Sequence, residues 1–326
     1  MTIHNQNHLV NYINKISLSK AQTNGRISII PMAFSSGGFP FITMKDAMKN
    51  NDIKIIEISE SGSVPELRVI NSGSIPILLL DGEEVLGAKQ NRIFNTSILI
   101  PDNSELVVPV TCTEQGRWGY VSKSFQDSNE VLSYNIRASK MGKVSDSLKY
   151  KNDYRSDQGE VWDSISRMSG QKNVFSRTGA MKDVYESEKD NLESILNYFP
   201  LLKNQNGIMV WLDDIAIGFD LIGSHEAYAQ YHQKLLRSYL IGFPDNKMNK
   251  KNSISIKNGK SFLKKISSCY EDKFKSPGYG WDCRYEGNGL VGSSLHVDGN
   301  IIHTSFFSND KQNSLYRNGR RDGLHY

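Results

Sequence analysis

The sequence is poor in the residues and motifs that mark several common classes of protein. Its three cysteines, Cys112, Cys269 and Cys283, form no CxxC pair, which disfavours a disulfide framework and predicts a reducing, cytoplasmic location. It has no HxH or HExxH pattern, no P-loop and no GxGxxG run after a predicted strand. We therefore predict no metal site, and the sequence names no cofactor.

Long apolar runs and a strong charge bias are also missing. No window of about 18 uninterrupted apolar residues occurs, and no basic stretch precedes an apolar one at the N-terminus, so neither a membrane span nor a signal peptide is expected. The 39 Lys and Arg residues exceed the 35 Asp and Glu residues by a net charge of +4 that is spread along the chain. Bulk attraction to nucleic acid is not indicated.

What is present is a chain of 326 residues, 38% of them hydrophobic, which is enough to bury a substantial core. Short β-rich runs in its first part alternate with Gly, Pro, Asn and Asp. They lie at about residues 27–34, 53–58, 67–70, 75–80, 93–100 and 106–112. This spacing predicts an antiparallel sandwich or barrel-like lobe over residues 1–121, with one helix at about residues 43–50. A short amphipathic helix is predicted near residues 8–16.

Residues 122–205 are more polar and follow a helical pattern. Helices are predicted at about residues 129–148, 160–168 and 181–199. The polar stretch 149–158 is predicted to be a surface connection between the first two.

Residues 206–308 are predicted to form an α/β portion packed on the first lobe. A strand pair that meets at residues 213–214 precedes a helix at about residues 225–240. The polar and basic residues 309–326 are expected to form a frayed tail. The chain as a whole is predicted to be one compact α+β unit.

The sharpest local prediction is the β-hairpin that ends the α/β portion. An Asp-Gly pair follows Val297 and supplies the two-residue turn. The resulting register sets Val297 opposite Asn300 and Ser294 opposite His303.

Two polar segments stand out against their apolar neighbours. The first polar segment reads Leu80-Asp-Gly-Glu-Glu-Val-Leu-Gly-Ala-Lys-Gln-Asn-Arg-Ile-Phe-Asn, and the second reads Thr111-Cys-Thr-Glu-Gln-Gly-Arg-Trp. Buried charges must be paired or used. Glu83 and Glu84 are successive strand residues that point to opposite faces, so a paired-acid mechanism requires one of them to meet Glu114 across the sheet.

The same segments contain cationic and aromatic side chains of the types that contact phosphates and bases in other proteins. Lys89, Arg92 and Arg117 are suited to a phosphate or pyrophosphate, since Arg forks onto two oxygens and Lys acts as a point charge. Trp118 and Tyr120 are suited to stacking on a base. The alternative is an internal network in which the glutamates and cations neutralise one another and Trp118 is a core residue.

These segments also resemble a known family. Together with Ser63-Val-Pro-Glu-Leu, Asn95-Thr-Ser and Pro109-Val-Thr-Cys they resemble the ARG-and-rhodanese-phosphatase-associated protein domain family, in whose name ARG stands for ADP-ribosylglycohydrolase. The resemblance is specific over about residues 55–120 and looser over most of the remaining chain. It implies an association with ADP-ribosylglycohydrolases and with rhodanese- or phosphatase-like proteins, and it fixes no activity.

The leading hypothesis is an enzyme that acts on an NAD-derived or ADP-ribose-like, phosphate-bearing nucleotide metabolite. Glu83 and Glu114 are the candidate catalytic acid and base. The candidate ligand-binding residues are Lys89, Gln90, Asn91, Arg92, Asn95, Gln115, Arg117 and Trp118. The alternative is a non-catalytic nucleotide-binding sensor or adaptor that works with ADP-ribosylglycohydrolase-type enzymes, and a third hypothesis is a structural partner of such an enzyme.

Overall fold

The computed structural model describes residues 9–35, 37–59, 62–243 and 254–309. Within these residues it contains eight helices. They are α1 (Val10–Ile13), α2 (Met44–Asn50), α3 (Tyr134–Lys151), α4 (Gln158–Gln171), α5 (Met181–Ser187), α6 (Lys189–Leu196), α7 (His225–Leu240) and α8 (Ile256–Ser267).

Eighteen strands accompany the helices in the described part of the chain. They are β1 (Ile16–Leu18), β2 (Gln22–Asn24), β3 (Ile27–Phe34), β4 (Ile42–Thr43), β5 (Ile53–Ile56), β6 (Glu66–Asn71), β7 (Ile77–Leu79), β8 (Glu83–Gly87), β9 (Arg92–Phe94), β10 (Ile98–Ile100), β11 (Ser104–Cys112), β12 (Phe125–Val131), β13 (Gly207–Leu212), β14 (Ile215–Ile222), β15 (Tyr270–Lys275), β16 (Trp281–Gly287), β17 (Leu290–Val297) and β18 (Asn300–Ser308).

The largest sheet joins the two ends of the described chain. Its strands follow the order β1-β3-β13-β14-β18-β17-β16-β15, and β2 pairs with β3 beside that path. β3 runs antiparallel to β13, with Met32 opposite Gly207. A Cβ at Gly207 would lie 2.7 Å from the Asp220 carbonyl oxygen, so glycine permits the close approach of the neighbouring strand. Early and late parts of the sequence therefore build one sheet.

Two smaller sheets carry the polar segments. One has the strand order β10-β7-β4, and the other has the order β12-β8-β9-β11-β6-β5. In the second of these, Glu84 on β8 lies opposite Ile93 on β9. Arg92 on β9 lies opposite Cys112 on β11. The two polar segments are thus neighbours across adjacent strands.

Two long helices pack on the sheets and bury both apolar and charged residues. α7 begins after Ser224, whose hydroxyl oxygen accepts a hydrogen bond from the Ala227 N–H at 3.2 Å. It buries Tyr231 in the main apolar core and contacts β12 and β14. α3 buries Arg137 and Lys140 as well as apolar side chains. Charged side chains are therefore buried at more than one place in the protein.

The predicted α+β class is confirmed, with N-terminal sheets that are antiparallel apart from the β4–β7 pair, a helical middle and a terminal hairpin. Two predicted helices are wrong in extent. The helix predicted at residues 129–148 spans Tyr134–Lys151, because Phe125–Val131 forms a strand against β8 instead. The helical run predicted at residues 181–199 is two helices, with Glu188 between α5 and α6.

The single strand predicted at residues 93–100 is also wrong, since it is two strands in different sheets. Asn95, Thr96 and Ser97 separate β9 from β10. The side chains of these residues bond to other segments, as when Thr96 Oγ1 donates a hydrogen bond to Asp282 Oδ2 at 2.7 Å. These side-chain hydrogen bonds to other segments occur where the chain passes from the sheet of β9 to the sheet of β10.

The terminal hairpin is confirmed in position and corrected in register. Val297 lies opposite Asn300, as predicted. A β-bulge after Leu295 shifts the pairing beyond it, so His303 lies opposite Leu295 and not opposite Ser294. The prediction counted one residue against one outward from the turn, and such a count does not include the extra residue of a bulge.

The predicted polar tail lies outside the described residues after residue 309. The boundaries predicted at residues 121 and 205, between the three portions of the chain, stay predictions. β3 precedes both boundaries and β13 follows them, yet the two strands belong to one sheet. No helix in the described ranges is long and apolar enough to cross a membrane.

Candidate functional site

The turn at Asp81 and Gly82 leads the chain from one small sheet into the other. Gly82 has a φ of 76°, and a Cβ at this position would lie 3.1 Å from the Arg137 side chain. Glycine is favoured here by the left-handed backbone and by the close approach of α3. β8 begins directly after the turn, and Glu83 and Glu84 turn to different partners on its two faces.

Glu83 faces α7 and is held in an ion pair. Its Oε1 lies 2.8 Å from Lys234 Nζ, and its Oε2 accepts hydrogen bonds from the Leu80 N–H at 3.1 Å and the Tyr231 hydroxyl at 3.2 Å. Lys234 also pairs with Asp127 at 2.7 Å. Burial raises the pKa of Glu83, although Lys234 opposes the rise. None of these partners belongs to the second polar segment.

Glu84 is the glutamate of β8 that approaches the second polar segment. Its Oε1 accepts a hydrogen bond from Thr113 Oγ1 at 2.6 Å, and its side chain is fully buried. Burial raises the pKa of Glu84 to about 8, and the charge of Glu114 acts in the same direction. Glu84 is therefore mainly a neutral carboxylic acid at neutral pH.

Glu114 has the opposite protonation preference. Arg117 Nε donates to its Oε2 at 2.8 Å, Thr178 Oγ1 donates to its Oε1 at 2.9 Å, and the Asn91 N–H donates to its Oε2 at 3.3 Å. Burial acts to raise the pKa of Glu114, but the hydrogen bonds from Arg117 and Thr178 outweigh it and lower the pKa. Two neighbouring carboxyl groups thus have pKa values displaced in opposite directions.

Arg117 ties the two polar segments together. Its guanidinium donates to the Ala88 carbonyl oxygen at 2.7 Å, to Asn91 Oδ1 at 3.0 Å and to the Glu114 carboxylate. Since its donors are directed at protein acceptors, Arg117 holds in place the loop that carries Trp118.

Arg92 has a fully buried guanidinium with unused donors. Its Nη1 donates to Gln90 Oε1 at 3.2 Å, and its Nη2 lies 3.9 Å from Glu57 Oε1. Nε and Nη2 have no hydrogen-bond partner among the described residues. Burial lowers the pKa of Arg92. Buried polar groups in native proteins almost always have partners, so these donors need an explanation.

Two half-exposed aromatic rings lie against the cations. Lys89 Nζ is 5.2 Å from the ring centre of Trp118 and 5.1 Å from that of Tyr120, and Arg92 Cζ is 5.9 Å from the ring centre of Trp118. Trp118 is 52% exposed and Tyr120 is 51% exposed. We call Glu57, Lys89, Arg92, Trp118 and Tyr120 the Arg92 cluster. Its cations lie between the interior and the exposed rings.

The four amide residues predicted to contact a ligand are divided between different places. Gln90 accepts a hydrogen bond from Arg92, and Asn91 adjoins the same loop. Asn95 lies apart, where its Nδ2 donates to the Tyr154 carbonyl oxygen at 2.9 Å. Gln115 has an exposed side chain and contributes its carbonyl oxygen to Gln90. The predicted ligand-binding residues that meet at or beside the Arg92 cluster are Lys89, Gln90, Asn91, Arg92, Arg117 and Trp118.

Comparison with known proteins decides the family. The ARG and Rhodanese-Phosphatase-superfamily-associated Protein domain matches residues 15–307. The chain belongs to this family. The resemblance carried by the polar segments is thereby confirmed, and the family's name records an association with ADP-ribosylglycohydrolase and rhodanese-phosphatase superfamily proteins. No curated protein and no solved structure matches the chain significantly.

A second group of charges in this ARG and Rhodanese-Phosphatase-superfamily-associated Protein domain is buried beneath α3. Arg137 donates two hydrogen bonds to the Asp220 carboxylate, at 3.0 and 2.7 Å. Lys140 forms an ion pair with Asp81, and Arg137 Nε lies 3.5 Å from Asp81 Oδ2. We call these four residues the Arg137 network. Its two cations and two carboxylates balance, so it is neutralised internally.

The Arg137 network continues to a serine and a histidine. His303 Nε2 lies 3.2 Å from Asp220 Oδ1, and His303 Nδ1 lies 2.8 Å from Ser97 Oγ. The order serine, histidine, aspartate is that of a hydrolase triad, but all three side chains are buried. Asp220 already accepts both bonds from Arg137, and Ser97 Oγ accepts the Asp81 N–H at 2.9 Å. We interpret this chain of hydrogen bonds as structural.

Sequence reasoning missed the Arg137 network because its partners are far apart in the chain. One signal was available. Arg137 and Lys140 are three positions apart on α3 and lie among the buried residues Ile136 and Met141. Charged residues on the apolar face of a helix indicate buried partners elsewhere.

Open cavities lie away from the Arg92 cluster. Three of them have volumes of about 810, 750 and 680 Å³, and no residue of the Arg92 cluster lines any of the three. No group of three His, Cys, Asp or Glu side chains in the described ranges is placed to hold a metal ion. The prediction that no GxGxxG run follows a strand is wrong, since one runs from Gly287 at the end of β16 to Gly292; it leads into β17 and not into the helix that a dinucleotide site uses. The half-exposed Trp118 ring lies 5.9 Å from Arg92 Cζ, so it is the exposed group that contacts the buried guanidinium.

Proposed function

We propose that this chain binds a phosphate-bearing nucleotide metabolite of the ADP-ribose or NAD class at the Arg92 cluster. The observation that carries the proposal is the buried Arg92 guanidinium, whose Nε and Nη2 lack partners beneath the half-exposed ring of Trp118. A phosphate oxygen is the natural acceptor for two such donors. Trp118 and Tyr120 offer ring faces for the base.

The buried charge of Arg92 supports an anionic ligand. Its Nη2 lies 3.9 Å from Glu57 Oε1, which is beyond hydrogen-bond distance. The nearby carboxylate of Glu114 is held by Arg117 at 2.6 Å. The Arg92 guanidinium is fully buried, and a charge acts more strongly there than at an exposed surface.

Binding at this place requires the Trp118 side chain to move aside. Trp118 and its neighbour Tyr120 are half exposed and belong to a loop without regular secondary structure. Since Arg117 anchors the base of that loop, a rotation of the Trp118 side chain opens Arg92 without disturbing the rest. The same ring then stacks on the bound base.

The family's association with ADP-ribosylglycohydrolase-type proteins supports the choice of ligand class. That support is associational, and the residues of the Arg92 cluster carry the argument. We place the protein in the cytoplasm, where NAD-derived metabolites occur and where free cysteines such as Cys112, Cys269 and Cys283 are typical.

Arg92→Gln is expected to weaken ADP-ribose binding by a factor of about ten to a hundred, because hydrogen bonds to charged groups contribute about 1.5–3 kcal/mol. Trp118→Ala is expected to weaken it by a similar factor, since stacking on a base contributes about 1–3 kcal/mol. Calorimetric titration with ADP-ribose and with NAD measures both effects.

Arg155→Gln is the matched control, because it removes one positive charge from a side chain that is 65% exposed and pairs with Asp153. Thermal melting shows whether Arg92→Gln is folded. Trp118→Ala alters a half-exposed ring and is expected to fold, so it tests the proposed site even if Arg92→Gln does not fold. The proposal fails if folded wild-type protein gives no heat with either nucleotide, or if Trp118→Ala binds as tightly as Arg155→Gln.

A second proposal is that the bound nucleotide is turned over, and the displaced pKa values of Glu84 and Glu114 favour it. Enzymes that use two carboxyl groups commonly keep one protonated and the other ionised. Here burial raises the pKa of Glu84 to about 8, whereas Arg117 and Thr178 lower the pKa of Glu114 against the effect of burial. Glu114 is then the candidate base, and Glu84 takes the place of Glu83 as its protonated neighbour.

Glu114→Gln is expected to reduce turnover of the bound nucleotide at least a hundredfold while its affinity changes little, since acid–base catalysis contributes a factor of about 10² to 10⁴. Glu83→Gln is the comparison, because its ion pair with Lys234 lies beneath α7. Chromatography of ADP-ribose and NAD after incubation with each variant measures turnover. Binding without any turnover by the wild type would support a sensor or adaptor that works with ADP-ribosylglycohydrolase-type enzymes.

A further inference from the structure

The open cavity of about 810 Å³ lies on one face of the large sheet, away from the Arg92 cluster. Three residues of its lining form a row across three strands, because Lys275 lies opposite Trp281 and Trp281 lies opposite His296. Lys273 and Cys283 form the next row on the same face. A cavity of this volume is in the range that accommodates small ligands.

Two lysines converge on one exposed ring in this cavity. Lys273 Nζ lies 4.4 Å from the ring centre of Trp281, and Lys275 Nζ lies 5.4 Å from it. Among the described residues the ion pairs on these strands include those that join Lys149 to Asp272 and Glu286, and neither Lys273 nor Lys275 takes part in one. Trp281 is 44% exposed. Glu271, Asp102 and Asp298 also line the cavity, so the positive charge is local to the two lysines and the ring, where an anion is stabilised.

The cavity is shaped by a glycine that brings two strands close together. Gly280 has a φ of 85°, and a Cβ there would lie 2.0 Å from the His296 carbonyl oxygen. Only glycine allows this approach, which places Trp281 at the start of its strand beside His296. The adjoining thiol of Cys283 is buried, and burial raises its pKa to about 12, so it is a neutral part of the wall.

Further aromatic and polar groups line the cavity beside His296. The Tyr12 ring lies 5.6 Å from the His296 ring, and the Tyr12 hydroxyl donates to the Gly299 carbonyl oxygen at 2.6 Å. Asp102 and Asp298 also line the cavity and offer acceptors for hydroxyl groups. A ligand that satisfies this lining combines an anionic group, hydroxyl groups and a flat ring.

We propose that this cavity is a binding site for a nucleoside monophosphate or a compound of the same class. Its phosphate lies at Lys273 and Lys275, and its ring lies against Trp281. The site shares no residue with the Arg92 cluster and does not depend on the function proposed for that cluster.

The test uses adenosine monophosphate, ribose 5-phosphate and adenosine as probes in calorimetric titrations of the full chain. The double variant Lys273→Gln/Lys275→Gln is expected to bind adenosine monophosphate at least tenfold more weakly than the wild type. Trp281→Ala is expected to weaken binding of adenosine monophosphate about tenfold and to leave ribose 5-phosphate unaffected. Adenosine, which lacks the phosphate, is expected to bind at least tenfold more weakly than the monophosphate.

The matched control is Lys143→Gln/Lys149→Gln, which removes the same charge from two lysines that pair with other surface residues. Equal affinity of the two double variants for adenosine monophosphate overturns the proposal, as does the absence of saturable binding to the wild type. Arg92→Gln is expected to leave this site unchanged, so failure here is distinguishable from failure at the Arg92 cluster.

Discussion

Replacing Arg137 by Met is expected to lower the free energy of unfolding by about 3–5 kcal/mol, the usual cost of removing one partner from a buried ion pair. Arg137 donates two hydrogen bonds to Asp220 and lies 3.5 Å from Asp81, and all three side chains are buried. In the variant, Asp220 keeps its charge without its main cation. Urea unfolding followed by circular dichroism measures the change.

Two companion variants separate the lost charge from the lost packing. Arg137→Lys retains a cation and is expected to lose less stability than Arg137→Met. Arg137→Met/Asp220→Asn removes both charges and is expected to recover part of the loss, because no uncompensated carboxylate remains. A loss below about 1 kcal/mol for Arg137→Met would contradict the buried ion pair.

Glu84→Gln is expected to change how stability depends on pH. Burial raises the pKa of Glu84 from 4.5 to about 8, so the folded protein keeps this proton while the unfolded chain releases it. The wild-type free energy of unfolding therefore falls as the pH rises from about 4.5 to about 8, and this contribution is constant above that range. Glutamine has no such proton, so the variant gains roughly 3 kcal/mol over the wild type between pH 5 and pH 8.

Urea unfolding at several pH values between 5 and 9 measures this difference. Glu193→Gln is the control, because Glu193 is 58% exposed and its replacement is expected to leave the pH dependence as in the wild type. Parallel curves for the wild type and Glu84→Gln would falsify the raised pKa of Glu84.

The general character of the fold was predictable because it depends on local patterns. Alternation, turn residues and helical spacing predicted the α+β class, α7 and the terminal hairpin. The errors fall where local patterns compete. Phe125–Val131 forms a strand because β8 is available as its partner, and an adjoining polar stretch had favoured a helix. The bulge after Leu295 likewise depends on neighbouring strands.

The candidate site was predictable in part for the same reason. The two-residue period of a strand predicted that Glu83 and Glu84 face opposite ways. Residue types alone suggested Lys89 and Arg92 for a phosphate and Trp118 for a base, and the structure places both cations near the Trp118 ring. The choice between the two glutamates depends on Lys234, which lies far along the chain on α7. No spacing within the motif identifies such a partner.

The pairing of β3 with β13 also constrains how the chain matures on the ribosome. β3 is an almost entirely buried apolar strand, yet β13 emerges only after the whole middle of the chain has been translated. Until then the nascent β3 presents an open edge and an uncovered apolar face, which invites association with other chains. We therefore expect truncated products that end before Gly207 to aggregate unless chaperones bind them.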